Sequence, residues 1–369
     1  MMENPVRILQ VVTHMNRGGL ESMLMNYYRR IDKKEIQFDF LTHRPENEKK
    51  DFDAEIQSMG GIIYHLPVLN PFSLEYRKLL ERFLKQHREY SIIHVHQDCM
   101  SSLILRYAKK NQIPIRIAHS HNAMQDKNLK YLVKLFYKKF IPKYGTDLFA
   151  CSEKAGKWMY GTHAFQLLYN AIDVDNYMFN RKIRDEYRKK LGMTDKFVIG
   201  HIGRFNRQKN HKFIISIFKN IVSNNPDATL LLVGTGELQE EIKKHVSNLG
   251  IEKQVIFLGV RNDIPSLLTV MDAFLFPSLY EGLPVTLIEA QASGLPCFIS
   301  DEITDEVVVT DLVKKISIHS SSDEWSTAVN GAESCNRSAY AGIVKKSHYN
   351  IQKEAEHLAK FYKKRIEVG

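Results

Sequence analysis

Cysteine is scarce in this chain, and the few cysteines lie far apart. The 369 residues include four, at Cys99, Cys151, Cys297 and Cys335. Their spacing matches neither a disulfide framework nor a cysteine-rich metal site. The sequence therefore predicts free or buried thiols, as is usual in the reducing cytosol.

Long hydrophobic runs are also missing. No stretch approaches the ~18 to 20 apolar residues that a membrane-spanning helix needs. The first residues, MMENPVRILQVV, carry an early acidic residue and a strand-like apolar stretch, unlike a signal peptide. Hydrophobic content of 44% and charged content of 25% are ordinary for a globular protein. We expect a cytoplasmic protein.

Acidic residues are under-represented in one half of the chain. The net charge is +10, and residues 1–170 carry nine of these ten excess positive charges. A one-sided basic excess suits a nucleic-acid groove or an anionic membrane surface, and it also promotes solubility. Charge alone leaves these readings open.

Strand-like and helical segments alternate along both halves. The predicted strands of the first half are Val6–Thr13, Phe38–Thr42, Gly61–Leu66, Ile92–Val95 and Ile115–Ala118, and those of the second are Phe197–Ile202, Thr229–Val233, Val255–Leu258, Ala273–Pro277 and Pro296–Ser300. This rhythm predicts an α/β fold with two doubly wound parallel sheets, joined by a linker at Leu168–Tyr177. Such sheets bind ligands beyond the carboxyl ends of their strands, so two of them facing each other would form a cleft.

Two glycines follow the first predicted strand. Gly18 and Gly19, within Arg17–Glu21, open a helix and would let the backbone approach an anion at its N-terminus. The spacing is neither GxGxxG nor a P-loop. A plain strand–helix turn is an equally good reading.

A basic loop follows the strand Phe197–Ile202. Arg204, Arg207 and Lys209 lie within Gly203–Asn210, where folding requires no charge. Arginine can bind a phosphate through two hydrogen bonds, and lysine adds a mobile point charge. The alternative is a solvated basic loop.

A pair of glutamates brackets the start of another helix. Glu281 and Glu289 lie in EGLPVTLIEA, with Pro284 suited to the first helical position and Gly294 to the helix end. A diphosphate at that N-terminus would place one carboxylate near a sugar and the other near a ribose. Carboxylates accept hydrogen bonds from hydroxyl groups well.

Histidines end two predicted strands. His119 and His121 follow Ile115–Ala118, and His94 and His96 form a similar pair. Neither pair has an evident third metal ligand of suitable spacing. A histidine at a strand end more readily binds or polarises a substrate group, although a structural role is also open.

Together these features resemble the retaining glycosyltransferases of the GT-B fold, family 4. The resemblance spans nearly the whole chain and is most specific in EGLPVTLIEA, while RIAHSHN and ISDEITDEV resemble bacterial exopolysaccharide and capsule transferases. It implies two Rossmann-like domains facing across a cleft. Because the last helix of this family usually returns to the first domain, we expect domains of 1–168 plus 350–369 and 169–349.

The resemblance implies roles for individual residues. The catalytic residues would be His121, which contacts the transferred sugar, and Glu281, which holds its hydroxyl groups. The donor-binding residues would be Gly18 and Gly19 near the phosphates, Arg204 and Lys209 on the diphosphate, Val260 and Arg261 at the base, Leu283, and Glu289 on the ribose.

The resemblance also implies a metal-free reaction without a cofactor. Cationic side chains and a helix dipole would neutralise the diphosphate, and no convincing DxD-type metal motif is present. Retention without an obvious protein nucleophile suggests that the acceptor attacks the sugar on the same face from which the phosphate departs. The departing phosphate would accept the proton of the acceptor. One departure is Asp301–Glu306, which stands where the family often has a glycine turn and then a glutamate.

A basic amphipathic stretch at 126–143 predicts docking on an anionic membrane. Six lysines alternate there with leucine, valine and phenylalanine, which suits a polyprenyl-linked or saccharide acceptor at the inner face of the cell membrane. The alternative is an ordinary helix with one face in the core. Other readings of the whole chain are a nucleotide-sugar epimerase and a non-catalytic nucleotide-sugar-binding protein. A nucleic-acid partner would leave the paired glutamates unexplained, so we expect none.

Overall fold

The chain divides into two compact units, one of which is discontinuous in sequence. The computed structural model describes residues 5–16, 18–48, 50–122, 131–332 and 335–368. The first unit comprises Met1–Ala171 together with Ile351–Gly369, and the second comprises Ile172–Asn350.

The first unit is built on a seven-stranded parallel sheet in the order β3-β2-β1-β4-β5-β6-β7. Its strands are β1 Val6–Val12, β2 Ile36–Thr42, β3 Ile63–His65, β4 Ile92–Val95, β5 Ile115–Ser120, β6 Asp147–Ala150 and β7 Gln166–Leu167. Its helices are α1 Gly19–Arg30, α2 Asp53–Ser58, α3 Leu74–Gln86, α4 Ser101–Lys110, α5 Tyr131–Lys138, α6 Ile141–Tyr144, α7 Glu153–Tyr160 and, from the chain end, α15 Ile351–Val368. The sheet order reverses between β1 and β4.

The second unit repeats this plan with six parallel strands in the order β10-β9-β8-β11-β12-β13. The strands are β8 Phe197–Ile202, β9 Ala228–Val233, β10 Val255–Gly259, β11 Ala273–Phe276, β12 Cys297–Ser300 and β13 Val313–Ile316. The helices are α8 Arg181–Leu191, α9 His211–Asn224, α10 Gln239–Asn248, α11 Ile264–Val270, α12 Val285–Ala292, α13 Ser322–Asn330 and α14 Tyr340–Lys346. Here the order reverses between β8 and β11.

The central strands are apolar because both faces of each sheet are covered. Every residue of β2, β4, β9, β11 and β12 is buried, which is typical of parallel sheets between helix layers. In the first unit α15 contributes Ile351, Leu358 and Tyr362 to the same core as α1. The predicted α/β fold with two parallel-sheet domains is confirmed.

Three strands were not predicted from the sequence. β7 has two residues, β6 begins with Asp147, and β13 carries Lys314 and Lys315, so none shows a clear apolar pattern. β7 and β13 are edge strands, which can be short and charged because one side of them lacks a neighbour, whereas β6 is a short inner strand between β5 and β7.

The predicted helix over 126–143 is interrupted. Residues 126–130 lie outside the described part, and the rest forms α5 and the short α6. Pro142 lies in the first turn of α6, where its missing N–H is harmless, whereas inside a continuous helix it would break a hydrogen bond. No residue of Tyr131–Lys138 is fully buried.

Candidate active site

Lys209 and Glu281 meet where the strand order of the second unit reverses. Lys209 follows β8 and Glu281 follows β11, and these strands are neighbours in the sheet. The Lys209 Nζ lies 2.7 Å from Glu281 Oε1, and the two side chains are 15% and 8% exposed. The carboxyl ends of strands at such a reversal form the usual ligand crevice of an open α/β sheet.

Gln208 completes the environment of Glu281. Its amide Nε2 donates to Glu281 Oε2 at 3.1 Å and to the Tyr280 carbonyl at 2.9 Å. The Lys209 ammonium also lies 4.4 Å from the centre of the Phe276 ring. Both oxygens of Glu281 are thereby held in place. Removing one member of such a covered pair leaves the other charge uncompensated.

Arg204 points away from this pair. Its guanidinium lies 3.2 Å from Glu237 Oε2, and the Arg204 side chain is 71% exposed. The structure therefore brings Lys209 to Glu281 but leaves Arg204 at the solvent-facing edge of the same loop. A ligand phosphate would have to compete with Glu237 for this arginine.

The loops after β8 and β9 touch backbone to backbone. Gly234 has φ +129, and a Cβ there would lie 2.2 Å from the Gly203 carbonyl oxygen. A Cβ on Gly236 would lie 2.4 Å from the Phe205 carbonyl oxygen. Only glycine allows this close approach. The contact sets the path of the loop that carries Arg204 and Lys209.

Glu289 occupies the middle of α12. Its Oε1 accepts a hydrogen bond of 2.8 Å from the hydroxyl group of Tyr177. Burial raises the pKa of Glu289 to about 7, against the lowering effect of that hydrogen bond. The helix begins at Val285, so Pro284 precedes the helix rather than opening it, and it ends at Ala292 rather than Gly294.

The remaining predicted donor contacts lie just before α12 and in the loop after β10. Leu283 is 6% exposed, just before α12. Val260 follows β10 and is 63% exposed. The guanidinium of Arg261 donates to both Asp263 oxygens, at 2.8 and 2.6 Å. The side chain of Arg261 is therefore already paired with Asp263, and this ion pair does not involve the Arg261 backbone.

In the first unit, Gly18 and Gly19 open α1 as predicted, while Arg17 lies outside the described residues. A Cβ on Gly18 would lie 2.3 Å from Glu21 Oε2, whereas Gly19 faces open space. Glu21 is 6% exposed, and its Oε1 lies 3.2 Å from His14 Nδ1. Burial raises the pKa of Glu21 to about 7. Glu21, beneath the glycine turn, is therefore only partly ionised near pH 7.

His121 belongs to a cluster of four histidines at the ends of β4 and β5. The parallel register places His94 opposite Ile117, and the rings of His96, His119 and His121 lie beside one another with centres 4.0 to 5.2 Å apart. Burial lowers the pKa of His94 and of His121 to about 3. These rings are therefore neutral near pH 7.

The cluster corrects the expectation that no third metal ligand is available. One ring nitrogen from each of His94, His96 and His119 lies within 4.8 Å of the others. The His94 and His96 rings, however, are stacked and inclined by only 25°, so an ion in the plane of one ring lies outside the plane of the other. Both nitrogens of His96 already have hydrogen-bond partners. His96 is thus held by hydrogen bonds, whereas His94 Nε2 and both ring nitrogens of His119 are buried without a hydrogen-bond partner within the described ranges.

Two family descriptions match the chain, one for each unit. "Glycosyltransferase Family 4" matches residues 17–176, and "Glycosyl transferases group 1" matches residues 183–347. EpsF of Bacillus subtilis (strain 168), which bears the name of a glycosyltransferase, is 36% identical over 359 residues, covering 94% of this chain and 91% of EpsF. The chain belongs to glycosyltransferase family 4.

Other relatives of this family-4 glycosyltransferase are named for specific reactions. A UDP-Gal:alpha-D-GlcNAc-diphosphoundecaprenol alpha-1,3-galactosyltransferase of Escherichia coli is 31% identical over 60% of each chain. The capsular polysaccharide biosynthesis glycosyltransferase CapH of Staphylococcus aureus is 24% identical, covering 77% of this chain and 78% of CapH. The crystal structure of Anabaena HepE with UDP and glucose superposes with a TM-score of 0.81 at 17% identity, over 96% of this chain and 99% of HepE. At that identity the superposition shows the GT-B fold alone.

Sequence reasoning missed several residues of the glycosyltransferase site. Tyr177 carries no motif and lies 112 positions before its partner Glu289. Gln208 is uncharged and lies between two cations, Arg207 and Lys209, so the sequence gives no separate signal for it. The pair Gly234 and Gly236, directly after an apolar strand, was a readable signal for a second glycine loop.

Among the described residues, no helix is long and apolar enough to cross a membrane.

Proposed function

We propose that this glycosyltransferase transfers a sugar, with retention, from a UDP-linked donor to a polyprenyl-linked acceptor in the synthesis of a cell-surface polysaccharide. The covered pair of Lys209 and Glu281 carries this proposal. A buried ion pair contributes little to stability compared with an apolar pair, so folding alone does not account for it. Its place at the strand-order reversal is where an α/β sheet binds its ligand.

The donor would be held by charge and by hydroxyl contacts. Lys209 and Arg204 would neutralise the diphosphate, with Gly18 and Gly19 near its phosphates. Glu281 would accept hydrogen bonds from the sugar hydroxyls. Preorganised cations that stabilise the charge on a leaving group commonly supply several kcal/mol of transition-state stabilisation. We therefore expect transfer to need no metal ion at the diphosphate.

The remaining contacts follow the same resemblance. Glu289 would bind the ribose, while Leu283 and the backbone of Val260 and Arg261 would contact the nucleoside. His121 would contact the transferred sugar. UDP is the proposed nucleotide because the E. coli relative is named for a UDP-linked donor and HepE was crystallised with UDP.

Retention would follow from attack on the face that the phosphate leaves. The bond between the anomeric carbon and the phosphate oxygen breaks as the acceptor oxygen bonds to that carbon. The departing phosphate accepts the proton of the acceptor hydroxyl, so no separate protein base is required.

The first test is binding and turnover of a panel of UDP-sugars, with and without a chelator. We expect one UDP-sugar to bind tightly and to release UDP when an undecaprenyl-diphosphate sugar is added, unchanged by the chelator. An epimerised nucleotide sugar formed without acceptor would instead indicate an epimerase. Binding without turnover on any acceptor would indicate a non-catalytic protein.

Substitutions at the covered pair sharpen this test. Glu281→Gln keeps the shape and an acceptor oxygen but removes the charge, and Lys209→Ala removes the cation. Each should lower kcat by about 10²- to 10³-fold while circular dichroism stays unchanged. Lys212→Ala is the matched control, because its partner Glu241 forms an exposed pair at 2.5 Å in the same unit. Wild-type turnover in either site variant would refute this assignment.

Contact with an anionic membrane is the proposed role of 126–143. Leu132 and Phe136 lie one turn apart on α5 and are 75% and 58% exposed, and Lys139 and Lys143 are exposed after them. Apolar side chains beside lysines suit the interface of an anionic leaflet.

Cosedimentation with vesicles tests this contact. We expect binding to vesicles that contain phosphatidylglycerol, weakened by salt and by Leu132→Ser with Phe136→Ser. Ile343→Ser is the control, since Ile343 is an exposed apolar residue of the second unit. Equal binding by the double variant would contradict the proposal.

A further inference from the structure

A chain of hydrogen bonds runs from the C-terminal helix to His121. Tyr362 of α15 lies with its hydroxyl oxygen 2.7 Å from His94 Nδ1 and 3.4 Å from Gln10 Nε2. The Gln10 Oε1 lies 3.0 Å from His96 Nε2, and His96 Nδ1 lies 2.8 Å from His121 Nε2. Gln10 is on β1, and the two histidines follow the adjacent strands β4 and β5, so all three side chains meet on one face of the sheet.

Each imidazole in this chain carries a single proton near neutral pH. Burial holds the pKa of His96 well below its usual range and lowers the pKa of His121 to about 3. A neutral imidazole has one N–H donor and one bare nitrogen that accepts. The direction of one hydrogen bond therefore fixes the direction of the next.

The amide of Gln10 sets that direction. The Gln10 amide nitrogen donates to the Tyr362 hydroxyl oxygen, which leaves the proton of that hydroxyl for His94 Nδ1. The Gln10 oxygen then faces His96. An amide oxygen can only accept, so His96 carries its proton on Nε2 and accepts at Nδ1.

We propose that Gln10 and His96 are positioning residues that hold His121 as the tautomer with its proton on Nε2. His121 then donates to His96 and presents Nδ1 as a bare acceptor. That nitrogen is covered and has no hydrogen-bond partner within the described ranges. An unsatisfied buried acceptor is unfavourable, and a donor group brought to it restores the missing hydrogen bond.

The functional consequence rests on the proposed contact between His121 and the transferred sugar. A sugar hydroxyl can donate its proton to a bare Nδ1. A protonated Nδ1 cannot accept that proton and could only donate to the hydroxyl oxygen. Because Nδ1 is covered, a hydroxyl reaches it only after a covering group shifts. With this tautomer already in place, no proton would have to move from Nδ1 to Nε2 of His121 when the sugar binds.

Long-range proton–nitrogen NMR on the full chain with nitrogen-15 histidine tests the tautomer directly, without any activity measurement. The His121 signals are assigned by their loss in His121→Asn. We expect a protonated Nε2 and an unprotonated Nδ1 in the wild-type protein. A proton on Nδ1 would mean that the whole chain runs in the opposite direction, and it would overturn the inference.

Gln10→Met tests the role of the amide. Methionine keeps a similar volume but cannot accept from His96, so we expect His121 to show both tautomers. We also expect kcat to fall by about 10- to 100-fold, as when an outer partner that orients a histidine is lost, with KM nearly unchanged. An unchanged His121 spectrum in this variant would overturn the assignment of Gln10.

Tyr27→Phe is the matched control. Like Gln10→Met, it removes a buried hydrogen bond in the first unit, here the 2.7 Å bond from the Tyr27 hydroxyl to the Tyr169 carbonyl. Tyr27 is not part of the series of hydrogen bonds that ends at His121. It should leave the His121 spectrum unchanged, and a shift there would assign the Gln10 effect to general loosening of the core. The proposed function fails separately, if the wild-type protein transfers no sugar while His121 keeps the expected tautomer.

Discussion

At the scale of single residues, the charged residues of the candidate site can be predicted from the sequence, whereas some of their hydrogen-bond partners cannot. Lys209 and Glu281 could be selected because each lies in a loop that follows a strand, where folding requires no charge, and Glu289 because it is paired with Glu281 in EGLPVTLIEA. Tyr177 could not be found in this way. It reaches Glu289 from a short turn far away in sequence, and no periodic pattern predicts such a contact.

If Glu289 binds the donor as proposed, donor binding should be sensitive to pH. The pKa of Glu289 is raised to about 7 by burial, so the charged form that accepts ribose hydroxyls best increases from pH 6 to pH 8. If only that form binds, affinity for UDP rises about tenfold over this interval, because the charged fraction rises by that factor. Calorimetric titration of UDP across this range measures the change.

Tyr177→Phe separates this effect from the titration of UDP itself. The Tyr177 hydrogen bond lowers the pKa of Glu289, so its loss should move the midpoint of the affinity curve to higher pH. UDP contributes equally to both proteins, and the difference between the curves belongs to Glu289. A midpoint that stays in place would show that Glu289 does not control donor affinity.

At the scale of elements, apolar periodicity predicted most strands but not their neighbours. A run such as Ile92–Val95 specifies a strand buried on both faces, yet nothing in it tells which strands lie beside it. The sheet order brings β4 next to β5 and so unites two histidine pairs that the sequence presents 25 positions apart. The histidine array therefore could not be predicted from spacing.

The glycine contact between two loops yields a prediction at this scale. Gly234→Ala places a Cβ 2.2 Å from the Gly203 carbonyl oxygen at φ +129, so the loop that carries Lys209 must move. We expect a loss of about 3 kcal/mol or more in the free energy of unfolding, together with loss of UDP binding. Denaturant unfolding and calorimetry measure the two effects.

Gly250→Ala is the control for backbone strain without a clash. Gly250 also has a positive φ, +66, but a Cβ there meets nothing within 4 Å. Its cost should be about 1 kcal/mol, as for one residue forced into the left-handed region, and UDP binding should persist. Equal effects of the two variants would show that the contact with Gly203 is unimportant.

At the scale of the whole molecule, the chain returns to its first unit after completing the second. The last residues, Ile351–Val368, form α15, which packs against α1 and buries Leu358 and Tyr362 in the core of the first unit. The family resemblance indicated that the last helix returns to the first unit, which the residues of the helix alone do not specify. An apolar stripe specifies that a face is covered and leaves its partner open.

The two tryptophans of the chain allow each unit to be followed separately. Trp158 lies on α7 of the first unit, and Trp325 lies on α13 of the second. Leu358→Ala should lower the free energy of unfolding of the first unit by about 2 to 5 kcal/mol, because a buried leucine is replaced by a cavity. In a Trp325→Phe background, tryptophan fluorescence during urea unfolding reports this loss through Trp158.

The reciprocal variant decides whether α15 stabilises the first unit alone. Leu267→Ala makes the same change at a fully buried position of α11 in the second unit. Trp325, read in a Trp158→Phe background, should respond to Leu267→Ala and much less to Leu358→Ala. If Leu358→Ala shifts both reporters equally, the two units unfold as one cooperative body, and α15 stabilises the entire chain rather than the unit in which it is buried.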